Sequence, residues 1–190
     1  MLTAFGFSPT WVRWIMTLIS SPLFSILING IPSKPYHPSR GIREGDPLSP
    51  FLFIIMSEGL GCLIKHAIHS HDLRGLSVHG TPAITHQQFV DDNMLFGHPY
   101  VSEALTYKAL LDTFSEASGT SINTAKSQIY FFHTPRPMEI FLARILGFSI
   151  DFLPSKYLGV PLLANPLYVM LERHKHQAYE KIMQLDFQST

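Results

Sequence analysis

Two adjacent carboxylates, Asp91 and Asp92, stand between Gln88-Phe89-Val90 and Met94-Leu95-Phe96. Both flanks are apolar enough to be buried strands, so the pair falls where one strand turns back on the next. Alternation sends neighbouring strand side chains to opposite faces, but a tight turn relaxes that rule and can aim both at one point. Carboxylates held together repel each other, and a divalent cation relieves the repulsion. Mg2+ takes oxygen ligands and keeps positions open for phosphate and water, as phosphoryl transfer requires. The plainer reading of the same residues is a polar hairpin turn. A second candidate is Arg40-Gly41-Ile42-Arg43-Glu44-Gly45-Asp46-Pro47-Leu48-Ser49-Pro50. Its glycines let backbone approach a ligand closely, and Arg40 and Arg43 suit phosphates. Read plainly, it is a surface loop leading into a helix. The third is Lys126, in the turn-rich run from Ser118 to Ser127. A positioned lysine can stabilise or protonate a leaving pyrophosphate; an unpositioned one is merely solvated.

The elements that must position these groups follow from capping, periodicity and turn chemistry. Ser8 and Pro9 open a helix whose apolar face is Trp11, Trp14, Ile15, Leu18 and Ile19, and Pro22 ends it. Leu23 to Ile28 alternates as a strand, and Asn29-Gly30 is a strong hairpin signal, with Ile31 beginning the return. Three prolines, Pro32, Pro35 and Pro38, make that return short. Ser49-Pro50 starts a helix that buries Phe51, Leu52, Ile55, Leu60, Leu63 and Ile64 and runs to His69. Gly75 to Gly80 reads as a short strand, and Ala83 to Val90 and Asn93 to Gly97 flank the acidic turn. Ser102 to Ser118 reads as a helix with Leu105, Leu110, Leu111 and Phe114 inward, stopped by Gly119. Ser127 to Phe132 is a strand, Pro137 to Leu146 a helix, Tyr157 to Leu162 a short strand and Pro166 to Leu185 a final helix. Strands and helices in this mixture predict an α+β fold, an antiparallel sheet with helices packed on one face.

Composition narrows the classes. The chain has 190 residues, 46% hydrophobic and 15% charged, which excludes a disordered tail. A single cysteine, Cys62, excludes a disulfide scaffold and a zinc knuckle, and it reads as a small core residue. The ten histidines form no metal cassette. No apolar run is expected to reach the ~20 residues that cross a bilayer, and no membrane partner is expected. The net charge is zero, with 14 basic and 14 acidic residues, which argues against a basic nucleic-acid coat. The charge is nonetheless uneven. Met1 to Arg43 contains no acid and carries Arg13, Lys34, Arg40 and Arg43.

Taken in order, the motifs resemble a known family. The block from Arg40 through Phe53 is similar to the template- and nucleotide-contacting segment of reverse transcriptases. Phe89-Val90-Asp91-Asp92 resembles their catalytic aromatic-x-Asp-Asp turn. Gly119, Ile122, Asn123, Lys126 and Ser127 match the next block, and Pro154 with Tyr157-Leu158-Gly159-Val160-Pro161-Leu162 the one after. The set is similar to reverse transcriptases of non-LTR, LINE-type retrotransposons of plants.

The resemblance implies a partial right-hand polymerase palm. Residues 1–39 would be a lead-in helix and hairpin, 40–165 the palm, and 166–190 the start of a thumb connection. It implies Mg2+, with Mn2+ possible, and an RNA template, a DNA primer and dNTPs as partners. Asp91 would be a direct metal ligand and Asp92 its partner. Gly45, Pro47 and Ser49 would shape the nucleotide and template pocket, with Arg43 and Glu44 beside them. Lys126 would sit near the triphosphate, and Phe89 would pack beneath the turn. An intracellular setting goes with this reading.

Three departures from the family pattern bear on activity. Another carboxylate, from a block upstream of the matched part, is expected to be missing, and the acid-free stretch offers no substitute. Asp46 belongs to the later block and does not bind metal by resemblance. Glu44 stands where the family usually has glutamine, so a group that donates and accepts becomes one that only accepts. The sequence stops at Thr190, where a thumb would begin. The expectation is therefore a chain that does not polymerise alone, with an unpaired apolar sheet edge beside the acidic turn and poor solubility. The alternatives are a non-enzymatic retroelement remnant that binds nucleic acid weakly, and a small interaction domain whose Asp-Asp turn is decorative.

Overall fold

A computed structural model of the chain describes residues 1–38, 41–77, 83–153, 155–158, 160–162 and 181–189, with the backbone alone at 155–156, 160–162 and 181–189. The lead-in begins with α1 (Pro9–Ser20), capped by Ser8, whose hydroxyl accepts the Trp11 N–H at 3.3 Å. Asn29 and Gly30, with φ of 52° and 81°, make the two-residue turn between β1 (Leu27–Ile28) and β2 (Ile31–Pro32). The strand expected from Leu23 is shorter than its alternation suggested. Beyond those two residues, among the described residues, pairing is reduced to a Ser33 N–H to Ile26 carbonyl bond and the Phe24–Tyr36 bridge. Of the predicted α1 face, Ile15 is buried but Trp14 and Leu18 are exposed, because other residues cover only part of that face.

The body of the chain is a six-stranded sheet. It contains β3 (His86–Phe89), β4 (Asp92–Gly97), β5 (Thr120–Ile122), β6 (Gln128–Phe131), β7 (Ser149–Ile150) and β10 (Lys181–Ser189). The order is β3-β4-β10-β6-β7, with β5 also on β10. Every pair is antiparallel except β6 with β7, which α4 (Arg136–Leu146) joins by a crossover. The core forms where α2 (Ser49–His69), α3 (Val101–Ser118) and α4 meet one face of this sheet. Leu60, Ile64, Tyr107, Leu111, Phe114 and Leu142 pack there with Leu95 and Ile129. Met94 and Phe96 alternate to the other face, where Tyr157 covers them. Tyr157 comes from a hairpin of β8 (Ser155–Tyr157) and β9 (Val160–Leu162), not from one strand, because the chain turns at Leu158 with φ 50°. The fold is α+β, with the three helices on one sheet face as expected.

Several local expectations fail for identifiable reasons. Gly75 to Gly80 contributes only a bridge, Leu76 with Ile84, and residues 78–82 lie outside the described set. Phe51 and Leu105 are exposed, since each lies off the stripe that meets the core. Cys62 is exposed rather than packed, beside the Glu58 carboxylate at 4.0 Å. The 21-residue α2, with mean hydropathy 1.6, is long and apolar enough to cross a membrane by length and composition, contrary to the expectation that no segment would be. Its apolarity is used here to bury Leu60, Gly61, Ile64 and Ala67 against the other elements.

The largest correction concerns the last segment. Residues 166–180 of the predicted final helix lie outside the described set, and Lys181 to Leu185 is strand. Met183, Leu185 and Phe187 alternate with Gln184, Asp186 and Gln188, a period of two, and pairing with β4 and β6 wins over helix propensity. The expected open edge is therefore not at β4; β3, the other strand of the acidic turn, ends the sheet order among the described residues. β4 has β3 on one side and β10 on the other.

Candidate active site

The β3–β4 hairpin closes with Phe89 paired to Asp92, leaving Val90 and Asp91 as a two-residue turn. Val90 has φ 52°, a left-handed conformation that a β-branched residue rarely holds. The turn is held from three sides. Asn93, buried, donates its side-chain N–H to the Asp91 carbonyl at 3.1 Å. Tyr157 donates its hydroxyl to the Asp92 carbonyl at 3.4 Å. Burial pushes the Tyr157 hydroxyl pKa up, and the nearby Asp92 carboxylate adds to the rise. Gln88 donates to the Ser57 carbonyl of α2 at 3.4 Å. The outcome is an exposed Asp91 carboxylate beside a half-buried Asp92.

The glycine-proline segment folds on itself. Ser49 donates its hydroxyl to the Arg43 carbonyl at 2.6 Å, and Asp46 accepts the Leu48 N–H at 2.8 Å. Gly41 and Gly45 take φ of 79° and 77°, open to glycine and costly to other residues. Asp46 is thus a loop-closing acceptor.

Turn and loop meet in one cavity of about 700 Å3. Val90, Asp91 and Asn93 line it from the hairpin, Gly41 and Ile42 from the loop, and Ile15, Leu52 and Leu60 from the helices. A smaller cavity of about 310 Å3 takes in Arg43, Glu44, Asp46 and Ser49 and shares Gly41, Ile42 and Leu52 with the first. The sequence-derived residues therefore divide. Asp91 faces the large cavity; Arg43, Glu44 and Ser49 line the small one. Gly45, Pro47, Asp92 and Phe89 line neither. Phe89, expected beneath the turn, is 56% exposed. His86 and Gln88 occupy the inward positions of β3, so alternation turns Phe89 outward with Gln87.

Lys126 is exposed and reaches neither cavity, but its loop stands at the right end of the sheet. β10 places Gln184 beside both Met94 and Gln128, and places Asp186 beside Asp92 and Phe187 beside Ile122. Residues 123–127 therefore lie at the same sheet end as the Asp91 turn, across β10 and about 10 Å away at two strand spacings. The same register puts a third acidic residue, Asp186, beside Asp92 in the ladder.

Sequence reasoning missed Asn93, Tyr157 and Gln88 as supports of the turn. Asn93 carried a usable signal, since asparagine near a turn bonds local backbone. Tyr157 carried none, because its contact is long-range.

The ordered blocks, now shown to bring the acidic turn and the glycine loop to one cavity, match the reverse transcriptase (RNA-dependent DNA polymerase) family over residues 1–162. The chain belongs to that family. A stretch of 67 residues is 46% identical to an uncharacterized mitochondrial protein of Arabidopsis thaliana. That stretch covers 35% of the chain and 55% of the relative's length.

Membership in the reverse transcriptase family implies use of a divalent metal, and the donor chemistry of the turn agrees with it. Asp91 and Asp92 are hard oxygen donors at the tip of a hairpin, one of them open to the cavity. Among the described residues, no group of three His, Cys, Asp or Glu gathers to hold a metal ion.

Proposed function

We propose that this chain is part of the palm of a retrotransposon reverse transcriptase of the non-LTR, LINE type, and that its acidic turn is the metal-bearing half of a nucleotidyl-transfer site. Residues 1–39 form the lead-in, 40–165 the partial palm, and 166–190 the start of a connection toward a thumb. One observation carries the reading. Asp91 and the Gly41–Ile42 backbone line the same cavity of about 700 Å3. The block order and the match over residues 1–162 support it.

In this reading Asp91 and Asp92 hold Mg2+, with Mn2+ an acceptable replacement. The bound ion would supply charge neutralisation for a triphosphate and a more acidic primer 3′-hydroxyl. Gly41 and Ile42 present backbone to the incoming dNTP, while Arg43, Glu44 and Ser49, with Gly45 and Pro47 shaping the loop, contact template or nucleotide. Phe89, exposed beside the turn, is available to the primer–template side, and Lys126 approaches the triphosphate from across β10. RNA template, DNA primer and dNTP are the partners.

The isolated chain is expected not to extend a primer. Two-metal chemistry needs ions ~3.5–4 Å apart, and two neighbouring carboxylates of one turn cannot hold both in that arrangement. A primer-extension assay with Mg2+ or Mn2+ tests this. Template-dependent extension that Asp91→Ala abolishes would overturn the inactivity, and absence of divalent-ion binding at the turn would overturn the site.

The acid-free lead-in favours a second reading, a non-enzymatic remnant that binds nucleic acid weakly through Arg13, Lys34 and Arg43. Such binding falls steeply with salt and is insensitive to Asp91→Ala.

A further inference from the structure

β3 is unusual for a strand that faces a core. Its two inward residues are polar, His86 and Gln88, and both are half-buried against α2. Buried polar groups are informative because apolar residues would fill such positions without needing partners. Gln88 donates its side-chain N–H to the Ser57 carbonyl at 3.4 Å. His86 meets α2 one turn further on, at Gly61. A Cβ at Gly61 would stand 3.4 Å from His86 Nε2, 3.7 Å from Glu58 Oε2 and 3.9 Å from Gln88 Oε1. Polar atoms of strand and helix thus converge over Gly61, which offers no side chain. The other ring nitrogen, Nδ1, is fixed at 3.1 Å from the Thr85 hydroxyl, and Glu58 is itself tied to Lys65 at 2.8 Å.

The place of this contact matters more than its strength. α2 begins at Ser49, whose hydroxyl binds the loop carbonyl of Arg43. Ser57 lies eight residues on, about 12 Å along the axis at ~1.5 Å per residue. β3 runs from His86 to Phe89 and leads directly into the Val90–Asp91 turn. The glycine loop and the acidic turn are remote in sequence, and this contact links the two elements that carry them. Ser57 and Gln88 line the same cavity as Asp91, Gly41 and Ile42.

We propose that His86 and Gln88 are positioning residues: by clasping β3 to α2 at Ser57, Glu58 and Gly61 they set the spacing between the acidic turn and the glycine loop. The inference rests on reading Asp91 as an ion ligand only for its functional consequence; the clasp itself is a statement about geometry. α2 acts as the ruler, with the loop fastened at its first residue and the turn fastened two helical turns later. The imidazole lies over Gly61, at the distance of an ordinary contact to a Cβ placed there.

The test uses the full chain and two readouts. Backbone amide exchange at residues 90–93 reports whether the turn is held. Mn2+ binding, followed by the loss of its free EPR signal, reports whether Asp91 and Asp92 act as ligands. Gln88→Met keeps the side-chain volume but removes the donor, and His86→Ala removes the ring. Each is expected to speed exchange at 90–93 by roughly five- to tenfold, about the size of one modest hydrogen bond, and to weaken Mn2+ binding by a similar factor. Exchange at Leu95, Tyr107 and Ile129 should not move. His86→Gln places an amide nitrogen near the position of Nε2 and is expected to restore both readouts. Unchanged exchange at 90–93 in both variants overturns the proposal. So does acceleration that spreads equally through the core, which would mean a lost packing contact and nothing more. If wild-type chain binds no Mn2+ while the exchange pattern follows expectation, the ligand reading of Asp91 fails and the clasp stands.

Discussion

The Asn29-Gly30 and Val90-Asp91 hairpins both close with two-residue turns, and they obey different rules. Asn29-Gly30 and Val90-Asp91 both open with φ of 52°. At the first, asparagine tolerates that conformation and glycine at φ 81° follows it, so sequence and backbone agree. At the second, a β-branched valine holds the left-handed position and a carboxylate follows. The lead-in turn carries nothing beyond its own strands. The strained turn is supported by Asn93 and Tyr157 and faces a cavity. Strain of about 1–3 kcal/mol persists only where surroundings over-determine it, and such places are enriched in functional sites. The comparison teaches that the informative departure in this chain is the valine, not only the acids after it.

The comparison breaks most visibly at the acids. Asp91→Asn is expected to weaken Mn2+ binding by more than the roughly 10–100-fold typical of losing an outer-shell partner, since it removes a ligand charge. Thermal stability should stay within about 0.5 kcal/mol, because Asp91 is an exposed side chain. The matching change in the lead-in turn, Asn29→Ala, should leave Mn2+ binding untouched. Isothermal titration and thermal melts of the two variants check both halves. Equal Mn2+ affinity in Asp91→Asn and wild type would remove the functional side of the contrast.

Exchanging turn chemistry is the next largest effect. Val90→Gly relieves the left-handed strain and is expected to raise stability by about 1 kcal/mol, after the entropic cost of glycine in the unfolded chain. Gly30→Val does the reverse at φ 81° and should destabilise its hairpin by about 1–2 kcal/mol. Because β1 and β2 are two residues each, that loss should appear as local exchange near the hairpin more than in the global melt. A lower melting temperature for Val90→Gly would mean that valine is not strained there.

How much of this was legible beforehand follows the same division. Elements with strong local punctuation were readable. Ser8-Pro9 starts α1, Gly119 and Gly147 end α3 and α4 in the left-handed conformation, and Asn29-Gly30 turns the first hairpin. The acidic turn was readable because two acids stand between segments apolar enough to be buried strands. Unreadable features depend on distant partners. Nothing local places β10 between β4 and β6, although residues Met183 to Gln188 alternate within a stretch whose composition also suits a helix. Phe89 turns outward because His86 and Gln88 find partners on α2, a fact of tertiary contact. Trp14 and Leu18 look like core residues on a helical wheel, but α1 meets the body mainly through Ile15. Local rules report which face a side chain occupies, not whether anything lies opposite.

A pH contrast sharpens the role of the supports. His86 has its pKa lowered, first by burial and then by the Lys65 ammonium, with Glu58 opposing in part. The folded state therefore favours neutral imidazole, while the unfolded chain takes up a proton near ~6.5. The stability this contributes is full above that value and is lost as pH falls from it through the lowered folded pKa. Melts from pH 7.5 to 5 should show a decline that His86→Gln reduces. The Asn29-Gly30 hairpin has no titrating side chain in its turn, so exchange there should not follow the same profile. An identical acid decline in His86→Gln would place the proton uptake elsewhere.

The smallest expected effect is at Tyr157. Its hydroxyl donates to the Asp92 carbonyl at 3.4 Å, a long contact, and Tyr157→Phe should cost no more than about 0.5–1 kcal/mol. The same variant should alter behaviour at high pH. Burial and the Asp92 charge raise the Tyr157 pKa, so the folded state favours the neutral phenol. Its contribution is complete below the unfolded value near ~10 and is lost as pH rises through the raised folded pKa. Tyr157→Phe should therefore be less sensitive between pH 9 and 11 than the parent chain. The change should be concentrated in exchange at residues 90–93, since the hydroxyl touches the strand just past the turn. If Phe at 157 leaves both the alkaline profile and the turn unchanged, the strained valine is held without this contact. Its support would then come from Asn93 and from the clasp on α2.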